Sequence, residues 1–201
     1  MNRINITIIR IGLVALAALG LAACPPVTSK TPLGTTVAAV PDPGLTGVWK
    51  GRVATSATFS YFTFFPQTDG TISVVIVTPP SGTDKGGWGA FSLQTVVLGP
   101  NHFMNAHETS SEGQPATGTM ADNTIPILYR INGDGALVIY IMDDQLAKNA
   151  IKAGKIAGTV EEGQFGDAVL TASAADLDAY MASPQGRALF TKPLVILRRV
   201  K

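Results

Sequence analysis

A single cysteine in 201 residues excludes any disulfide within the chain, and any zinc or thiol-redox site built on a Cys pair. Histidine is nearly as scarce: His102 and His107 are the whole supply. On a continuous strand their odd separation turns them to opposite faces, so they do not readily share a metal ion, and His107 beside Glu108 is divided in the same way. Charged residues make up only 14 %, with 15 Lys+Arg against 14 Asp+Glu. Such a balance offers no electrostatic reason to expect nucleic acid as a partner. The chain has no G-x-S-x-G elbow, no Walker loop and no dinucleotide-binding glycine pattern. Gly82–Gly89 (GTDKGGWG) is glycine-rich, but no helix follows it to receive a phosphate. The adjacent carboxylates Asp143-Asp144 and Glu161-Glu162 fall at a helix start and a strand end, where structural roles account for them. The expectation is a protein that is not an enzyme, with no catalytic residue, no metal and no cofactor.

Arg3 and Arg10 give the chain a positive start, and Ile11–Ala23 follows as an uncharged, mostly apolar run. That run is short for a bilayer-spanning helix, which needs roughly 20 apolar residues, but it suits the apolar region of a signal peptide. It ends in Leu21-Ala22-Ala23-Cys24. These four residues resemble the lipobox of bacterial lipoproteins. The resemblance implies that residues 1–23 are removed, that the Cys24 thiol carries diacylglycerol, and that the new amine is acylated. Removing Arg3 and Arg10 leaves 13 basic residues against 14 acidic ones. Two or more acyl chains hold a protein stably on a membrane, where one binds only marginally. Asp after the lipidated Cys favours inner-membrane retention in Gram-negative members. Pro25 stands there instead, so the resemblance implies an outer-membrane anchor facing the periplasm.

Residues 25–44 (PPVTSKTPLGTTVAAVPDPG) hold five prolines among twenty residues and show no helical period. The expectation is an extended, solvated tether over 24–44, reaching up to roughly 60 Å at about 3.1 Å per residue. The alternative is an N-terminal arm that packs in part, through Val37–Val40.

Residues 45–201 are expected to form one mainly β domain. Strand patterns occur at Thr46–Ala54, Thr58–Phe65, Thr71–Thr78, Trp88–Leu98, His102–Thr109, Ile125–Ile131, Ala136–Met142, Lys155–Glu161, Asp167–Thr171 and Leu194–Val200. Asp69-Gly70, Gly99-Pro100 and Asn132-Gly133-Asp134-Gly135 mark turns, because these residues tolerate positive φ or pre-set a bend. Ser110–Asn123 is polar and turn-rich, which predicts a long loop. Two short helices are predicted. The first, 145–153, has Asp144 as N-cap, Gly154 at its end and an inner face of Leu146, Ala150 and Ile151. The second, 174–182, opens on a Ser173/Asp176 capping box and stops at Pro184, just before the last strand. Eight to ten short antiparallel strands must resolve two sheet edges, and closure into a barrel removes them. A two-sheet sandwich is the alternative.

Gly47-x-Trp49 opens the first strand and resembles the lipocalin and wider calycin pattern. In that family the Trp closes one end of a small barrel, and a basic residue from the end of the barrel chain packs over it. Arg198 and Arg199 are the candidates; Arg198 is preferred because Ile196 and Val200 would share its face. Plain core packing at a strand start is the other reading of Gly47 and Trp49. The tail, from KIAGTVEEG to LVILRRVK, resembles uncharacterised proteobacterial lipoproteins. Trp88, expected in a glycine-rich loop, is read as a binding contact or as packing on the barrel rim. Phe59, Tyr61, Phe62, Phe64 and Phe65 occupy both faces of one strand, so one set should fill the barrel and the other be covered, by the 174–182 helix, or stay as an apolar patch. These readings describe a membrane-anchored envelope lipoprotein whose domain binds a small apolar ligand or an envelope protein. A structural protein acting through its outer surface is one alternative. A hydrolase of unidentified type is another, which a buried polar cluster around His102 or His107 would favour.

Overall fold

The computed structural model describes residues 26–34, 41–53, 58–82, 85–161 and 166–201. The signal segment 1–23, Cys24 and Val37–Val40 lie outside the described residues. Twelve strands occur among those described: β1 Thr28–Ser29, β2 Gly47–Val53, β3 Phe59–Pro66, β4 Ile72–Thr78, β5 Gly87–Leu98, β6 Asn101–Ser111, β7 Gln114–Pro115, β8 Ile125–Ile131, β9 Leu137–Ile141, β10 Gly158–Val160, β11 Ala168–Leu170 and β12 Pro193–Arg199. Eight of them run β5-β4-β3-β2-β12-β9-β8-β6, and β6 pairs back to β5, so the sheet is a closed antiparallel barrel. The strand β7 pairs on β6 outside the ring. The remaining three, β1, β11 and β10, form a separate small sheet.

Alternation along the strands decides what faces inward. Trp49 and Val53 on β2, Phe62 and Phe64 on β3, Ile72 and Val74 on β4, Phe91 and Leu93 on β5, and Met104 and Ala106 on β6 are all buried in one interior cluster. The three predicted turns make the hairpins β3–β4, β5–β6 and β8–β9, with Gly70, Gly99 and Gly135 at positive φ. All three hairpins lie at one end of the barrel. At the other end, besides the short connection between β2 and β3, run the longer ones, 79–86, 112–124 and 142–192. The predicted loop at 110–123 is shorter than expected, because β6 continues to Ser111 and β7 and a helix, Thr119–Asp122, follow.

A second core lies outside the barrel wall. Val96, Leu98, Phe103, Leu128, Val138 and Tyr140 point outward, and the small sheet and the helices Asp144–Lys152 and Ala174–Ala182 cover them. The second helix begins as expected: the Asp176 N–H donates to Ser173 Oγ at 3.3 Å, and the Ser173 hydroxyl donates to Asp176 Oδ2 at 2.6 Å. Pro184 does not merely stop it, since Ser183 caps a further short helix, Pro184–Arg187. The first helix is capped by Asp143 rather than Asp144, and buries Ala147, Lys148 and Ala150 while Leu146 is exposed. One residue of phase accounts for both differences: with Asp143 as cap, Asp144 falls in the first turn and pairs with Lys148 at 2.7 Å.

The tether expected over 24–44 is corrected where it is described. Val27, Thr28, Ser29 and Leu33 are buried. β1 pairs in parallel with β11, and Ser29 exchanges backbone bonds of 2.8 and 3.0 Å with Thr124. Buried Asn105 receives the Leu33 N–H at 2.8 Å and donates to the Leu33 carbonyl at 2.9 Å, while Asp178 accepts the Gly34 N–H at 2.7 Å. Proline content describes a chain with no partner of its own; here the barrel wall and the 174–182 helix supply the partners. Asn105→Ala should lower the unfolding free energy by about 1–3 kcal/mol, because two buried backbone groups lose their partner together. A chain starting at residue 45 should lose more. Urea midpoints measure both, and an unchanged midpoint would show that the arm adds nothing to the fold.

Candidate functional site

One end of the barrel is shut by a corner built from both termini of the sheet. The turn Pro43–Leu45 precedes β2, and Asp42 caps it by accepting the Gly44 N–H at 2.8 Å. Buried Trp49 donates its indole N–H to the Leu45 carbonyl at 2.7 Å. The Arg199 guanidinium lies 4.3 Å from the Trp49 ring centre and donates to the Thr46 and Gly44 carbonyls. Gly47 makes room for it: its φ is +113°, and a Cβ there would stand 2.9 Å from Arg199 Nη1. Tyr129 completes the corner by donating its hydroxyl to Asp42 Oδ2 at 2.9 Å; burial and this carboxylate push its pKa up.

The preference for Arg198 is corrected here. Arg199 pairs with Trp49 across β12–β2, whereas Arg198 points outward and binds Asp134 at 2.7 Å. Ile196 and Val200 do lie on Arg198's side of the strand, but both are exposed, so that face is the outer one.

The half of the barrel toward the long connections holds a cavity of about 70 Å³. The described residues that line it are all apolar, among them Phe62, Phe91, Leu93, Ala106, Ile125 and Ile141. Pro26, at the start of the described chain, also lines it, which brings the N-terminal arm to the cavity. Sites for bulky ligands measure roughly 300–1,000 Å³. This space is smaller and takes a hydrocarbon segment of only a few carbons.

Polar side chains face inward nearer the long connections. Ser60 and Thr78 are buried and share a hydrogen bond of 2.7 Å. Glu108 is 2 % exposed, and its Oε1 has no hydrogen-bond partner among the described residues. Burial raises its pKa. Ser111 is buried, and its hydroxyl too has no partner among the described residues. Reading the sequence did not single out Glu108 as a buried interior carboxyl. The signal was present: Met104, Ala106 and Glu108 share a strand face, so an apolar stripe ends in a carboxyl group.

His102 and His107 fall on opposite faces of β6, with His102 edge-on to Tyr129 at 5.7 Å. Among the described residues no His, Cys, Asp and Glu side chains gather as a metal site would require. Asp143 caps a helix and Asp144 pairs with Lys148. Trp88 stands in the strand expected from Trp88 to Leu98 and not in the glycine-rich loop: it is the second residue of β5, opposite Val77, and 39 % exposed on the outer wall. Its backbone N–H donates to Glu112 Oε1 at 2.6 Å. Phe59 and Phe65 are exposed too, because the 174–182 helix packs on the other wall and does not cover them. Lys50 and Arg52 stack on the Phe59 ring, at 4.7 and 4.6 Å.

Compared with known proteins, the chain matches no family model, no curated protein and no solved structure. The closed eight-stranded antiparallel barrel fits the calycin-like pattern by its own geometry.

Trp49→Ala should cost about 3–5 kcal/mol, as for other buried aromatics. Arg199→Ala should cost less and couple to Trp49, so that the double variant is less destabilised than the sum. Arg198→Ala, on an exposed pair, should change stability by no more than about 1 kcal/mol. Denaturant titrations of the four variants decide this, and additivity between Trp49 and Arg199 would remove the stacking contribution.

A second expectation follows from Glu108. Its folded pKa lies above its unfolded value, so its stabilising contribution is present at low pH and is lost as pH rises through the folded pKa. Glu108→Gln should therefore match the parent near pH 4, below the usual glutamate value of 4.5, and exceed it in stability near pH 8. Urea midpoints at the two pH values measure it; a parent protein that is the more stable at pH 8 would contradict the assignment.

Proposed function

We propose that the protein is a lipid-anchored envelope protein of the outer membrane, lipidated at Cys24, whose barrel binds a slender apolar chain without transforming it. The observation that carries this reading is the wholly apolar cavity on the side of the long connections, with Pro26 in its lining. The corner of Trp49, Leu45 and Arg199 seals the opposite end, which leaves the long-loop end as the way in.

The N-terminal arm orients the molecule. Cys24 is two residues before Pro26, at most about 7 Å of extended chain. A lipid on Cys24 therefore lies beside the cavity, and the long-loop end faces the bilayer. The outer rim at that end supports this orientation: Phe59, Val77 and Trp88 are exposed there, with Lys50 and Arg52 over the Phe59 ring. Aromatic and cationic side chains together suit the membrane–water interface. A single-chain lipid then passes between bilayer and barrel without crossing bulk water, and the partner of Trp88 is the headgroup layer.

Mass spectrometry of the mature protein tests both parts. The intact mass should show an N-terminal Cys24 carrying acyl groups, and Cys24→Ala should lack them and take up no labelled palmitate. Under native conditions the protein should retain a single-chain lipid. Ala106→Leu, which fills the cavity from its wall, should lose that lipid while remaining folded. Labelling of Cys24→Ala would refute the anchor, and undiminished lipid retention by Ala106→Leu would refute the cavity as the site.

A further inference from the structure

The interior face of β6 changes character along its length. Met104 and Ala106 line the apolar cavity. Glu108 follows on the same face, directly opposite Phe91, which also lines the cavity. The next inward residue would ordinarily be residue 110. Instead the register shifts between Ala90 and Phe91, so that β6 carries an extra residue there and Ser111 pairs with Gly89. A bulge of this kind re-aims the side chains beyond it. Its effect here is that Glu108 and Ser111, three residues apart, are both buried on the interior side, whereas Thr109 is exposed.

Both buried groups have an unsatisfied atom among the described residues: Glu108 Oε1 and Ser111 Oγ. Burying a polar atom without a partner is unfavourable, and native structures hold few such atoms. The nearby Ser60 and Thr78 satisfy each other, so the unsatisfied pair is confined to the β6 wall. Gly89 faces Ser111 and Gly87 faces Thr78, so β5 contributes no side chain beside them.

We propose that Glu108 and Ser111 form the head-group end of the binding site, and that the ligand is a single-chain amphiphile whose polar head donates hydrogen bonds. This rests on the reading of the barrel as a binder of apolar chains, and it names the class of chain. The tail lies in the apolar cavity between Phe91, Leu93 and Ile125. The head stands one strand pair further toward the long connections, where the Glu108 carboxyl accepts from a hydroxyl, amide or ammonium group. The Ser111 hydroxyl turns to donate or accept as the head requires. A second carboxylate placed against Glu108 would have to be protonated, so fatty-acid anions are disfavoured. Desolvation of Glu108, the cause of its raised pKa, means that either form of the carboxyl gains from a partner that fills this space.

The test compares two chains that differ by one donor: 1-dodecanol and its methyl ether. The full mature protein is released from micelles and its retention of each is measured by native mass spectrometry, with dodecanoate as a third probe. The parent should retain dodecanol over the ether by roughly tenfold or more, since a hydrogen bond to an otherwise orphaned buried group is at stake. Dodecanoate should be retained less than dodecanol. Glu108→Leu should hold dodecanol and the ether alike. Ser111→Ala, a smaller change, should narrow the preference and keeps the proposal falsifiable if Glu108→Leu does not fold. Equal retention of dodecanol and ether by the parent, or a preference untouched by both substitutions, overturns the head-group assignment while leaving the apolar site standing. Retention of neither chain by the parent overturns both.

Discussion

The last strand holds the molecule together. β12 fills the gap between β2 and β9, pairing with β2 from Val195↔Val53 to Arg199↔Trp49 and with β9 from Pro193↔Tyr140 to Leu197↔Leu137. Without it the sheet would present two open edges. Gly51 admits the strand at close range, because a Cβ there would collide with the Ile196 carbonyl. Arg199 reaches the turn at 43–46 only because β12 ends beside the start of β2. Closure of the barrel and sealing of its end are thus one event, and both wait on residues at opposite ends of the chain. Contacts of such sequence separation are slow to form.

The barrel has two kinds of outer wall. Over β6, β8 and β9, outward residues such as Phe103, Leu128 and Val138 are buried beneath helices and the small sheet. Over β2, β3 and β4 the outward residues are exposed, Phe59, Phe65 and Val77 among them. The long connection between β9 and β12 explains the division. Its helices can reach only the wall beside which it leaves and returns, and the N-terminal arm is drawn to the same side by Asn105 and Asp178. The bare wall carries Lys50 and Arg52 on the Phe59 ring.

Much of the fold was legible residue by residue. Every strand predicted from alternation is present to within a few residues, and eight of the ten form the barrel. The three hairpin turns and the Ser173/Asp176 cap rest on local chemistry, so they were readable locally. Gly47-x-Trp49 pointed to the corner, but parity alone could not say which face of β12 is the inner one. The arm at 26–34 was invisible because its stability resides in Asn105, Asp178 and Leu170, all far along the chain. Strands β1 and β7, of two residues each, exist only by virtue of the strands they join.

By itself the sequence determined the class of this protein, because alternation, turn residues and caps act over a few residues and carry their reason with them. It also determined that the chain has neither cysteine pairs nor clustered histidines. The tertiary structure decided where the interior leaves space. It set Arg199 rather than Arg198 over Trp49, folded the proline-rich arm against the barrel, and placed a buried carboxyl beside an apolar cavity. Each of these depends on the register of strands far apart in the chain. A one-residue shift, such as the bulge on β6, exchanges inside for outside, and no local pattern records it.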